Sequence, residues 1–141
     1  MAVAKGSDIA GFEGLNGKSV AVKTGTESNR YAESLAGTYG FTVMTFESSP
    51  DIYQAVISGQ CAGCFDDTPI MADYIKVNGV PLQLVDGTAN EGADYGFAVF
   101  SADKQELVDK FNAGLANIRA NGKYKEVNDK YFDFDAYGPE K

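Results

Sequence analysis

Histidine is missing from all 141 residues. Its absence removes the commonest general base and the commonest transition-metal ligand, and this weighs against an enzyme. Cationic side chains are also in deficit, with 12 Lys+Arg against 20 Asp+Glu and a formal net charge of −8. That balance argues against nucleic acid or an anionic membrane surface as the partner. No apolar run approaches the roughly 18 residues that signal a membrane span. The opening Met1-Ala2-Val3-Ala4-Lys5-Gly6 is not followed by the apolar stretch of a signal peptide. The reading is a cytosolic protein, or one whose export segment lies outside these residues.

Cysteine is nearly as scarce. Cys61 and Cys64 are the only two, and they form a C-x-x-C. A redox pair normally opens a helix, where the dipole lowers the thiol pKa. Here Cys61-Ala-Gly-Cys64-Phe65 lies between a Gly-Gln turn and an Asp-Asp-Thr-Pro helix start, and it reads as a strand. Residues three apart on a strand face opposite ways, too far apart for a disulfide. One cysteine pair without histidine is also a poor zinc site. Two buried structural thiols are expected, with no metal and no cofactor.

What is present is a regular alternation of short apolar strands and amphipathic helices in a chain of single-domain size, with 44% apolar residues. Strands are predicted at 3–5, 19–23, 41–46, 61–65, 81–85 and 95–100. The first helix is capped by Thr26 or Ser28, carries Tyr31 and Leu35 on one face, and ends at Tyr39-Gly40. The second is capped by Ser49 with Pro50 at its first position, buries Ile52, Ala55 and Val56, and stops at Gly59. Asp67 or Thr68 caps a third, with Ile70, Tyr74 and Ile75 or Val77 facing inward and Asn78-Gly79 closing it. Ser101 caps a long helix to about residue 120 whose stripe is Leu107, Val108, Phe111, Leu115 and Ile118. Asn121-Gly122 breaks it before a shorter helix at 123–132, with Tyr124, Val127 and Tyr131 at helical spacing.

Strands alternating with helices imply a mostly parallel sheet covered on both faces. Such sheets bind ligands at loops beyond the carboxyl ends of their strands. Two loops qualify. Lys23-Thr-Gly25-Thr26-Glu27-Ser28 feeds a helix N-terminus, where unpaired N–H groups favour an anion. It lacks both glycine-rich nucleotide-binding spacings, so a carboxylate is the better-sized guest; the plain alternative is an ordinary capped helix start. In Asp66-Asp67-Thr68-Pro69, two adjacent acids repel unless a cation or donors sit nearby. Either Asp67 is a helix cap with Asp66 solvated, or one acid holds a ligand ammonium. Glycosidase carboxylates must face each other across a sugar, which neighbours on one backbone rarely do, and a magnesium site lacks further ligands. Together the two loops match an α-amino acid zwitterion.

At this point the chain resembles a family. The run Leu15-Asn-Gly-Lys-Ser-Val-Ala-Val-Lys-Thr-Gly-Thr26 is similar to the polar amino-acid (glutamine-type) binding proteins of ABC importers, bacterial extracellular solute-binding protein family 3. So are Phe65-Asp-Asp-Thr-Pro69, Tyr95-Gly-Phe-Ala-Val-Phe100 and the block from Phe111 to Tyr124. That last block looks close to the binding domains fused to glutamine permeases of Gram-positive bacteria. The resemblance implies an α/β, periplasmic-binding-protein-like (type II) lobe: a mostly parallel five-stranded sheet flanked by helices, plus C-terminal helices belonging to a first lobe whose body is missing. By this reading residues 1–14 are a crossing strand and linker, 15–94 the second, ligand-binding lobe, and 95–100 the second crossing strand. Residues 101–132 are helices that dock on the first lobe, and 133–141 are a tail. The missing lobe normally supplies an arginine that clamps the ligand carboxylate.

Carried over by resemblance, Asp67 takes the α-ammonium and Lys23 contacts the side-chain end of the ligand. Thr26 and Glu27 belong to the loop, with Gly25, whose N–H groups meet the carboxylate. Asp66 is a pocket-side position that varies with specificity. Glu27 departs from the family, where a small or hydroxyl residue is usual; it avoids repelling a carboxylate if it turns to solvent, where a first-turn acid favours the helix dipole. The implied ligand is glutamine, then glutamate or asparagine. The implied partner is an ABC permease subunit or fused permease domain at the extracellular face of the membrane, with lipid anchoring or permease fusion holding it there. An amino-acid-sensing receptor domain and a dehydratase-like enzyme on the same scaffold are the alternatives. A lone lobe is expected to bind weakly. The apolar stripe of its long helix, without a partner, is expected either to pack back or to exchange with another chain in a swapped homodimer.

Overall fold

Along Ser19–Lys23 the side chains alternate between two cores, Val20 and Val22 in one and Ala21 in the other. A strand that is apolar on both faces must be covered on both, and this strand is the organising element of the fold. A computed structural model describes residues 1–90 and 95–137, which fall into two compact units, Met1–Ala93 and Asp94–Lys141.

The first unit contains strands β1 (Ala2–Ala4), β2 (Ser19–Lys23), β3 (Thr42–Phe46), β4 (Gly63–Phe65) and β5 (Leu82–Leu84), with helices α1 (Glu27–Tyr39), α2 (Ser49–Ile57) and α3 (Thr68–Asn78). The sheet order is β3-β2-β4-β1-β5. β2 pairs parallel with both β3 and β4, whereas β1 runs antiparallel between β4 and β5. The sheet is therefore mixed: four strands point one way and β1 the other. The predicted mostly parallel five-stranded sheet is present in strand direction, while a three-residue strand inserted against the common direction makes two of the four pairings antiparallel.

α2 and α3 cover one face, packing Ile52, Tyr53, Val56 and Met71 against Ala21, Cys64 and Leu82. α1 and the 3-10 turn Phe12–Leu15 cover the other, with Leu15, Ala32 and Phe41 against Val3, Val20, Val22 and Phe65. β4 enters its ladder through a glycine because space demands it: a Cβ at Gly63 would stand 3.1 Å from the Ala2 carbonyl oxygen.

Several sequence expectations shift by small, explicable amounts. The cap of α2 is Ser48 rather than Ser49, with its hydroxyl accepting from the Asp51 amide at 3.3 Å and Pro50 in the first turn. On α3 the inward residues are Met71, Tyr74 and Ile75, an i, i+3, i+4 set, while Ile70 (48% exposed) and Val77 (71% exposed) face outward. Cys61 precedes β4, so the strand alternation does not apply to it, and both thiols enter the same core instead of opposite ones. They are buried and unbridged, and the Cys61 sulfur lies 3.8 Å from the Met44 sulfur.

The second unit holds a 3-10 turn (Ala102–Lys104), α4 (Gln105–Ala120) and α5 (Lys123–Tyr131). Ser101 bonds the side chain of Asp103 but does not cap the helix. No strand forms at 95–100, although that segment is apolar and was predicted to be one. An extended stretch becomes a strand only when a neighbour pairs with its N–H and C=O groups, and no ladder includes these residues. Asn128 fastens the chain beyond α5, donating to the Phe134 carbonyl at 2.8 Å and accepting from the Ala136 amide at 3.0 Å. The predicted lobe boundary at 94 and the end of the predicted 133–141 tail lie outside the described residues.

Candidate functional site

The parallel register pairs Val22 with Phe65, so the next residues, Lys23 and Asp66, leave adjacent strands at the same end of the sheet. Neighbouring strands lie about 4.8 Å apart. The two loops singled out from sequence are therefore neighbours.

The loop after β2 is built by its own polar groups. Thr24 donates its amide to the Phe46 carbonyl at 2.8 Å and its hydroxyl to the same oxygen at 3.0 Å, which ties the turn to the end of β3. Gly25 has φ +73°, a left-handed conformation that glycine adopts without a Cβ penalty. Thr26 caps α1: its hydroxyl donates to the Lys23 carbonyl at 2.8 Å and accepts from the Asn29 amide at 3.2 Å. The Thr26 side chain is thus spent on the turn. What remains for an anion is the main chain, since the first-turn N–H groups of a helix have no intrahelical acceptor. Glu27 is exposed and bonded to Arg30 at 2.7 Å, so its charge is turned to solvent and partly neutralised. Lys23 is half-buried at the end of β2.

The loop after β4 divides its two acids. Asp66 is half-buried; its Oδ2 accepts from the Tyr53 hydroxyl at 2.7 Å and its Oδ1 from the Asp67 amide at 2.9 Å. Asp67 is the N-cap residue of α3, yet its carboxylate makes no capping bond. Tyr53, on α2, is 1% exposed, and its ring lies 4.5 Å from that of Tyr74. Burial first, then the hydrogen bond and charge of Asp66, hold the Tyr53 hydroxyl well above the ordinary tyrosine range. Sequence reading took α2's inward face as Ile52, Ala55 and Val56 and missed Tyr53. The available signal was a hydroxyl-bearing aromatic on a helix that packs beside the Asp-Asp strand end.

Neither cysteine has the character of a nucleophile. Burial raises the Cys61 thiol, and it pushes the Cys64 thiol up to about 12, far from the depressed values of reactive cysteines. Among the described residues there is no cluster of three or more Cys, Asp or Glu side chains able to hold a metal, and no helix long and apolar enough to cross a membrane. An open hollow of about 630 Å³ lies elsewhere, in the second unit, beside Arg119, Tyr124, Asn128 and Phe132. Its Arg119 guanidinium sits 3.6 Å over the Tyr137 ring, and it shares no residue with the two loops.

The chain is 34% identical over 131 residues to the L-arginine-binding protein of Pseudomonas aeruginosa, a match covering 88% of this chain and 50% of that one. It is 30% identical over 149 residues to the histidine-binding periplasmic protein of Escherichia coli, covering 98% and 55%. Among solved structures it resembles the second substrate-binding domain of Lactococcus lactis GlnP in open conformation, with a TM-score of 0.74 and 36% identity over 96% of this chain and 58% of that one. The chain therefore spans about half the length of the curated relatives it matches. Residues 1–134 match the bacterial extracellular solute-binding proteins, family 3, and the chain belongs to that family, with a periplasmic-binding-protein-like fold.

Proposed function

We propose that the loops beyond β2 and β4 grip the zwitterion of a polar amino acid, and that the protein serves as the substrate-binding part of an ABC importer on the outer side of the membrane, anchored by lipid or fused to its permease. Asp67 takes the α-ammonium, and the N–H groups of residues 25–28 take the carboxylate. Lys23 meets the far end of the ligand. The observation that carries the reading is the parallel pairing of Val22 with Phe65, which sets an acid and a helix N-terminus at one end of the sheet. The curated relatives are named for arginine and histidine, but the Lys23 ammonium would repel a cationic side chain. That favours glutamine first, then glutamate or asparagine. The role is binding rather than turnover, supported by the absence of histidine and by the inert thiols.

α4 and α5 are assigned to the other lobe of a two-lobed clamp. The exposed stripe on α4 supports exchange of these helices between two copies. Light scattering that finds only monomer would remove the exchange.

These residues span about half the length of the curated relatives, and taken alone they should bind weakly. Heteronuclear NMR with millimolar glutamine is expected to shift amides at 24–28 and 66–68, and Asp67→Asn to abolish the shifts. A titration that moves neither loop overturns the zwitterion reading; micromolar affinity in calorimetry overturns the half-site. A thermal-shift panel of glutamine, glutamate, asparagine, arginine and histidine on the parent protein ranks the ligands, and a preference for arginine would reject the role given to Lys23.

A further inference from the structure

The division of labour between the two adjacent acids has a visible cause inside the core. Tyr53 belongs to the cluster of Ile52, Cys64 and Met71, and its ring is fixed by Tyr74 on α3. Only its hydroxyl reaches outward, and it ends on Asp66 Oδ2 at 2.7 Å. The other oxygen of the same carboxylate receives the Asp67 amide at 2.9 Å. Asp66 is therefore bonded through both oxygens to its own protein, one bond anchored in α2 and the other on the residue that starts α3. Asp67, one position on, is left with a carboxylate that makes no capping bond.

We propose that Tyr53 is a positioning residue for the ligand site, acting through Asp66: the Tyr53–Asp66–Asp67 chain locks the strand-to-helix turn, commits the Asp66 carboxylate to the protein, and leaves the Asp67 carboxylate as the acceptor for the ligand ammonium. This rests on the zwitterion reading for its functional consequence, but the brace itself does not. Without the Tyr53 hydroxyl, the Asp66 carboxylate keeps only a bond to its own neighbour's amide. It is then free to rotate and to compete with Asp67 for the same cation. Held groups lose less freedom on binding than loose ones, and the difference appears as affinity. Because the brace sets the ammonium acceptor, which every α-amino acid shares, its loss should weaken all amino-acid ligands alike, unlike a change at Lys23.

The test uses Tyr53→Phe, Asp66→Asn and the double variant in the full chain. Phenylalanine keeps the buried ring and removes only the donor. In the absence of ligand, the Asp67 amide proton is expected to move upfield and exchange faster in Tyr53→Phe than in the parent. On titration with glutamine, each single variant should weaken binding by about tenfold, the order of one hydrogen bond to a charged group. The double variant should be no weaker than the worse single, as expected of residues acting through one another. An Asp67 amide unchanged in Tyr53→Phe overturns the brace, as do single effects that multiply in the double variant. Should Tyr53→Phe fail to fold, the Tyr53 ring resonances in Asp66→Asn decide the matter: a shift from the parent keeps the brace, and unchanged resonances overturn it. Should the parent show no glutamine-dependent shifts at all, the zwitterion reading falls, while the ligand-free amide measurement still judges the brace.

Discussion

The two units are built on opposite terms. Every buried apolar side chain among the described residues lies in the first unit, from Met1 to Leu82, while the second buries one residue, the polar Asn128 at 8% exposure. α2 turns Ile52, Tyr53, Ala55 and Val56 into a closed core. α4 carries an equally regular stripe, yet Leu107, Phe111 and Ile118 remain exposed. Amphipathic periodicity is thus identical evidence for a helix in both places and unequal evidence for stability. Most helical stability comes from tertiary packing of the apolar face rather than from propensity.

The largest effects should separate the units. Ile52→Ala is expected to cost about 2–5 kcal/mol in chemical denaturation, as for other buried large-to-small changes, whereas Leu107→Ala should cost less than about 0.5 kcal/mol, as at exposed positions. Equal losses would mean that the α4 stripe is covered in solution, and the contrast would break.

Next in size is an alkaline pH dependence set by a buried thiol of the first unit. Burial holds the folded Cys64 thiol at about 12 against an ordinary 9.0, so the unfolded chain releases this proton first. The stabilisation is complete below about pH 9 and declines as pH rises towards 12, by up to about 1.4 kcal/mol per pH unit. Denaturant melts at stepped pH should show the decline, and Cys64→Ala should remove one proton's share of the slope. Above pH 10 the raised Tyr53 hydroxyl adds a loss of the same sign.

Smaller again is the cap of α1. Thr26→Ala removes a hydroxyl that both donates and accepts in the turn and should lower stability by about 1 kcal/mol, read as a drop in the thermal midpoint. Smallest is Glu27→Gln, which breaks an exposed pair with Arg30. Such pairs contribute about 0–1 kcal/mol, so a melt indistinguishable from the parent is expected at physiological salt.

Much of the first unit was legible because local chemistry decided it. The Ser-Ser-Pro entry to α2 and the Asn78-Gly79 exit from α3 are set by capping and by glycine's freedom at positive φ. The juxtaposition of Lys23 with Asp66 was legible at the level of topology, since parallel strands carry their loops to a common end. What could not be read depends on contacts far apart in sequence. A three-residue strand has no periodicity to detect, so nothing local places β1 between β4 and β5. Tyr53 is linked to Asp66 across a helix–strand interface, and only packing decides that Met71 rather than Ile70 turns inward. The segment 95–100 reads as a strand by composition, but pairing is not a local property.

The position of β1 has a consequence for how the chain assembles. Ala2 waits for Cys64 on one side and Leu84 on the other, so the earliest of the five strands to leave the ribosome is the last to acquire both neighbours. β2 and β3 can zip together as soon as β3 is made, but the middle of the sheet stays open until most of the unit has been synthesised. Such distant pairings impose a heavy loop-closure cost and slow folding. The sheet therefore closes from one margin inward, and its keystone is three residues long.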